Sequence, residues 1–267
     1  LVESTFLDAA NGYDPDPDVA DIVQPVADFI ASLSTTFIAS TSVALDGGND
    51  AQGRLIRRQE VAVGKLVADA YLAKAQALAP GLGVDIPQIC ITNGGGIRND
   101  LPNNRIPGNI SLADVFDVSR FNNVLTIIED VTSADLKLLL ENAYSATSDN
   151  DASEGITVTG SSGRFAHVAG MSVTYDISNT AMAIDTVTDT VTTQGERIID
   201  VTLDDGTAIV VNGVPVAGVT VDLVTNAFSA SGGDSWFYTD RDDNVEYTSV
   251  PYTGTLIGST DRIALTE

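Results

Sequence analysis

The stretch Asn93-Gly94-Gly95-Gly96-Ile97-Arg98 follows an apolar run, Gln88 to Thr92, that reads as a short buried strand. Three consecutive glycines cost backbone entropy, so they make sense where the chain turns sharply or where something approaches the main chain closely. No Lys-Ser/Thr follows, so the loop is not a P-loop, and Asn99 stands where a dinucleotide fingerprint needs Gly. Arg98 closes it, and a guanidinium fixed beside exposed amides suits a phosphate or a carboxylate. Arg54, Arg57 and Arg58 form a second group. They are either a solvated face pairing with acidic residues or a local positive patch for an anionic ligand. Phe121 and Phe228 lie in polar loops, Phe121-Asn122-Asn123 and Asn226-Ala227-Phe228, where a core residue is not expected. Rings placed so can sandwich a base, worth about 1–3 kcal/mol per base. Asp234 follows Gly232-Gly233 and is either a ribose acceptor or an ordinary turn carboxylate.

These cations matter because the chain avoids them elsewhere. Its 267 residues carry 13 Lys+Arg against 37 Asp+Glu, a net charge of −24. That argues against a nucleic-acid polymer or an anionic membrane as partner, since both need a cationic face. Only three of the cations are Lys, and acidic, Lys-poor surfaces suit high salt, where carboxylate repulsion is screened. A halophilic or marine source is one expectation and a generally acidic exported protein is the other. A melting temperature that rises with NaCl would distinguish the first. One cysteine, Cys90, excludes an internal disulfide, and one histidine, His167, excludes a His-rich metal cage. His167 reads as a structural or surface residue. No run of about 20 apolar residues is present to span a membrane. The opening Leu-Val-Glu reads as the edge of a processed product or of a piece cut from a longer polypeptide.

The elements that must position these residues are legible in outline. Asp14-Pro15-Asp16-Pro17-Asp18 resembles a calcium loop, but Val19 and Pro25 stand where Gly and Glu are required. A helix start is the better reading, with Asp16 as cap and Pro17 in the first turn. Val19, Ile22, Val23, Val26, Phe29, Ile30 and Leu33 then keep helical spacing, with a kink or late start expected at Pro25. A second helix is predicted from about Glu60 to Leu78, stopped by Pro80-Gly81. Ser111 and Thr132 can cap further helices. Strands are predicted at Val124–Glu129, Met171–Tyr175, Arg197–Leu203, Ala208–Val211 and Thr220–Thr225, with turns at Asp205-Gly206 and Asn212-Gly213. Helices early and strands late favour an α+β fold with a mixed sheet and packed helices, preceded by an N-terminal connector helix.

Taken together, several of these segments resemble one family. They are Asn93 to Arg98, the helix core Val63-Gly64-Lys65-Leu66-Val67-Ala68-Asp69-Ala70, the segment Ile110 to Phe121, and Asn226-Ala227-Phe228 with Ser231-Gly232-Gly233-Asp234. They look like the C-terminal domain of 5′-nucleotidases and UDP-sugar hydrolases, from about Asp16 to Asp234. The resemblance implies residues 1–39 as a connector helix from a missing N-terminal metallophosphoesterase domain, and 40–267 as the substrate-binding domain. It implies that Phe121 and Phe228 stack on the base and that Arg98 and Arg57 meet the phosphates. Asn93 would lie near the nucleoside and Asp234 on the ribose, with Arg54, Asn123 and Gly163 as weaker matches. Arg120 and Lys65 depart from the family pattern, where Pro and Asn are common. The Asp-x-His, Gly-Asp, Asn-His and Gly-His-x-His metal motifs are not in this sequence. The divalent metal pair and the catalytic residues are therefore expected in the missing domain, and this chain alone is expected to be inactive.

The resemblance further implies a periplasmic or secreted parent acting on nucleoside 5′-phosphates. Alternatives stay open: a stand-alone non-catalytic nucleotide-binding module, or the same domain from a relative acting on a cyclic nucleotide, a UDP-sugar or a sulfur-oxidation intermediate.

Overall fold

The computed structural model describes residues 16–50, 53–102, 107–121, 123–149, 158–160, 162–185, 190–236 and 255–260. Asp14, Pro15, Asn122 and the first residues of the chain, discussed above, lie outside the described residues.

Asp16 caps helix α1 (Pro17–Thr35), its carboxylate accepting from the Asp18 amide at 2.9 Å. The helix runs through Pro25 without the late start considered from sequence, because the Asp16 cap and Pro17 already establish the first turn upstream. Its apolar stripe is unburied: Leu33 is its one buried residue, whereas Val19, Ile22, Val23, Val26, Phe29 and Ile30 are exposed. Helix α2 (Ala62–Leu82) also differs from expectation. It includes Pro80 and ends at Gly83, whose φ of +71° lets its N–H return to the Ala79 carbonyl. A proline in the last turn forfeits one hydrogen bond, and the left-handed glycine sets the stop. Helix α3 (Leu112–Val118) starts at a full capping box between Ser111 and Asp114. Thr132 caps α4 (Ser133–Ala143) through the Asp135 amide.

The main sheet has five strands in the order Thr255–Thr260, Val124–Thr132, Thr220–Asn226, Ile89–Asn93, Ala166–Ala169. It is mixed: Thr220–Asn226 runs parallel to Ile89–Asn93, and the other neighbours are antiparallel. Alternation along the strands divides the core. Ile89, Ile91, Ile128 and Leu223 pack with Leu136, Leu139 and Leu140 of α4 and with Ile198, Val201 and Ile209 of a second, antiparallel sheet. Cys90, Leu125, Ile127 and Val224 point to the other face, against Val63, Val67, Ala68 and Tyr71 of α2. With both faces covered, Ile89–Asn93 is buried throughout and Thr220–Asn226 is buried beyond its first residue, and the fold is α+β as the element order implied. The strand Ala166–Ala169 was not predicted, because Ala-His-Val-Ala, buried throughout, carries no alternation to read.

Candidate functional site

The parallel strands Ile89–Asn93 and Thr220–Asn226 end side by side, and their last residues are joined. Asn226 Nδ2 donates to Asn93 Oδ1 at 3.0 Å, and Asn93 Nδ2 donates to Asp234 Oδ2 at 2.6 Å. Asn226 also caps α5 (Ala227–Ala230), its Oδ1 accepting from the Ser229 amide at 2.9 Å. Beyond α5, Asp234 adopts φ +57°, a left-handed conformation that turns its carboxylate back toward Asn93. The carboxylate needs room there. A Cβ at Gly163 would lie 2.6 Å from both Asp234 oxygens, and one at Gly95 would lie 3.0 Å from Oδ2.

Close approach also explains the rest of the glycine run, but the approaching groups belong to the protein itself. A Cβ at Gly94 would overlap the Ile56 carbonyl oxygen, and one at Gly96 would press on Asn93 Oδ1. The amides of Gly94, Gly95, Gly96 and Arg98 are not free for an anion, contrary to the sequence reading. Gly94 donates to Phe165 O, Gly95 to Gly163 O, Gly96 to Asn93 O and Arg98 to Val118 O, at 2.7–3.0 Å. An anionic ligand here would be met by side chains.

The cations supply them. Arg57 sits on a single 3₁₀ turn, Leu55–Arg57, and Arg98 lies at the end of the glycine loop. Arg98 holds its guanidinium carbon 4.6 Å from the centre of the Phe121 ring, in cation–π contact. Burial, then the charges of Arg57 and Arg120, push the Arg98 pKa down, while Asp234 opposes them. Arg54 is lowered to about 10, by burial first and then by Arg57, Arg98 and Arg120. Arg54, Arg57, Arg98 and Arg120 thus sit within electrostatic range of one another. Mutual repulsion among cations in a chain of net charge −24 is relieved by a bound anion. Arg58 does not join them: it is buried, 1% exposed, and is neither a solvated face nor part of the patch.

A cavity of about 250 Å³ collects these groups. Phe121 and Phe228 line it, with Arg57 and Arg98, and so do Asn93 and Asp234. Asn123 and Gly163 line it too. Arg54 does not: its guanidinium bonds the Ile97 carbonyl and braces the glycine loop from outside. Both rings are about half exposed, Phe121 at 44% and Phe228 at 45%, as a stacking platform requires and a core residue does not. Gly95 and Gly96 also line the cavity, although the sequence reading, which marked the run as a sharp turn or a close approach, did not count them among the site residues. His167 is fully buried, its pKa lowered to about 4 mainly by burial. Among the described residues no three His, Cys, Asp or Glu side chains come together to hold a metal ion.

Residues 37–240 match the family model of the 5′-nucleotidase C-terminal domain. The chain belongs to this family. This 5′-nucleotidase C-terminal domain is 31% identical over 202 residues to the trifunctional nucleotide phosphoesterase YfkN of Bacillus subtilis, covering 74% of the chain and 11% of that protein. Among solved structures it is similar to a 5′-nucleotidase precursor from Thermus thermophilus, with 24% identity and a TM-score of 0.61 over 94% of this chain and 40% of the other. The NAD nucleotidase of Haemophilus influenzae shares the fold at 17% identity and a TM-score of 0.54, over 95% of this chain and 38% of the other. The domain thus spans well under half the length of each of these relatives. No helix among its described residues is long and apolar enough to cross a membrane.

Proposed function

We propose that this domain recognises nucleoside 5′-phosphates for a metal-dependent phosphoesterase whose catalytic domain lies elsewhere in a longer polypeptide. The observation that carries the reading is the cavity lined together by two half-exposed rings, two arginines and an Asn–Asp pair. Phe121 and Phe228 stack on the base. Asp234, with Asn93 holding one of its oxygens, accepts from the ribose hydroxyls. Arg57 and Arg98 take the phosphate, Arg54 keeps the loop of Arg98 in place, and Asn123 and Gly163 shape the wall. A di-metal centre would belong to the separate domain, supplying the Lewis acidity for ester hydrolysis. This domain contributes positioning: remote binding of base and ribose accelerates a reaction only by holding the phosphate in line. Alone, it binds and does not hydrolyse. An exported parent protein agrees with the acidic, Lys-poor composition.

Titration with AMP and adenosine, followed by NMR shifts, tests the proposal. Saturable AMP binding that weakens in Phe121→Ala supports it. Lack of saturation at millimolar AMP sinks it, and phosphate release by the purified chain with divalent metal would overturn the division of labour.

A further inference from the structure

His167 lies on the strand Ala166–Ala169, opposite Thr92, and its ring is wholly enclosed. Its Nε2 is 2.9 Å from the Ile56 carbonyl oxygen. A carbonyl can only accept, so Nε2 carries the hydrogen. The same ring fills the space that a side chain on Gly64 of α2 would need, and Nε2 would be 3.4 Å from a Cβ on Gly94. The imidazole is thus wedged between α2, the glycine loop and the Leu55–Arg57 turn. Its Nδ1 has no hydrogen-bond partner among the described residues. Burying an unpaired nitrogen is costly, and an apolar ring would fill the space without that cost. What the histidine adds is a donor aimed at Ile56.

Ile56 is buried, and the next residue is Arg57, whose side chain lines the cavity. The backbone of Arg57 is tied on its other side, where its carbonyl accepts from the Ser162 amide at 3.1 Å. The Arg57 Nε is itself buried without a hydrogen-bond partner among the described residues. The backbone of this turn therefore decides where the guanidinium points.

We propose that His167 is a positioning residue for the anion end of the pocket: its hydrogen bond to Ile56 holds the turn that presents Arg57, and so tunes affinity for the phosphate independently of the base. The inference rests on the nucleotide reading of the cavity. Affinities for AMP and for adenosine are measured by calorimetry on the 267-residue chain, His167→Leu and His167→Gln. In His167→Leu, AMP should bind about tenfold more weakly, the size of one charge-assisted contact, while adenosine stays within about twofold. His167→Gln, which keeps a donor, should recover most of the loss. Equal weakening of both ligands, no weakening, or a Gln variant as impaired as Leu would each overturn the proposal. Two readouts need no nucleotide. Long-range nitrogen–proton spectra of the wild type should show the Nε2–H tautomer, and an Nδ1–H ring overturns the proposal even if the variants do not fold. Faster hydrogen exchange of the Arg57 and Arg58 amides in His167→Leu is expected, and unchanged exchange counts against the link. If the wild type binds neither ligand, the reading of the cavity fails, while the tautomer and the exchange still judge whether His167 holds the turn.

Discussion

At the floor of the pocket, Gly95 and Gly163 leave room for the Asp234 carboxylate, and behind that lining the His167 ring occupies the space that a Gly64 side chain would need. On the rim, Phe121 and Phe228 leave nearly half of their surfaces open. The floor contains buried polar groups held by short contacts, so it has almost no tolerance for volume. The rim contains rings that are nearly half open to solvent, so it should tolerate truncation better than the floor does. Stability should therefore respond chiefly to the buried groups, and affinity to the rim and, through the turn that presents Arg57, to His167.

The largest effect is expected from Gly64→Ala. One methyl would overlap three atoms of an imidazole that has nowhere to go, so the substitution should cost roughly 3 kcal/mol or more of folding stability in denaturant titration. A well-folded Gly64→Ala would show that the floor yields.

Acid should act on the same spot. The His167 pKa falls from 6.5 to about 4 on folding. Above pH 6.5 the ring is neutral in both states and its contribution is fully present. As the pH drops from 6.5 toward 4 the unfolded chain takes a proton that the folded one refuses, so stability falls by about 3 kcal/mol across that window and no further below it. It is the only histidine in the chain, so subtracting the profile of His167→Gln should isolate this component. Identical profiles would mean that the ring is not held neutral.

On the rim, Phe228→Ala should weaken AMP binding by about 1–3 kcal/mol while changing folding stability by less than about 1 kcal/mol. A large loss of stability with unchanged binding would reverse the assignment of floor and rim. The smallest effect belongs to Arg120→Ala. Its contact with Asp117 is an exposed pair at 3.4 Å, so stability should move by less than about 0.5 kcal/mol. AMP binding should weaken less than in Arg98→Ala, because Arg120 does not line the cavity.

The helices show how far local pattern reaches. α1 and α2 both carry an apolar stripe and an internal proline. The stripe of α2 is buried against the sheet, and that of α1 is exposed. Periodicity says that a helix has an apolar face and is silent on what covers it. Pro80 does not stop α2, because a proline in the last turn forfeits only one hydrogen bond and the left-handed Gly83 ends the helix. The glycine loop was recognised as a place of close approach, but the approaching carbonyls and carboxylate come from residues remote in sequence.

Residue types, caps, turns and the scarcity of cations are properties of composition and short spacing, and the amino-acid order alone determined them. It also marked the two phenylalanines as misplaced for a core. Only tertiary structure decided that Asn93 and Asp234, 141 positions apart, share a hydrogen bond, that Arg57 lines the cavity while Arg58 is buried, and that the lone histidine meets the Ile56 carbonyl. Local preferences act over a few residues, whereas these contacts form where two parallel strands end together, and that pairing is selected by burial on both faces of the sheet.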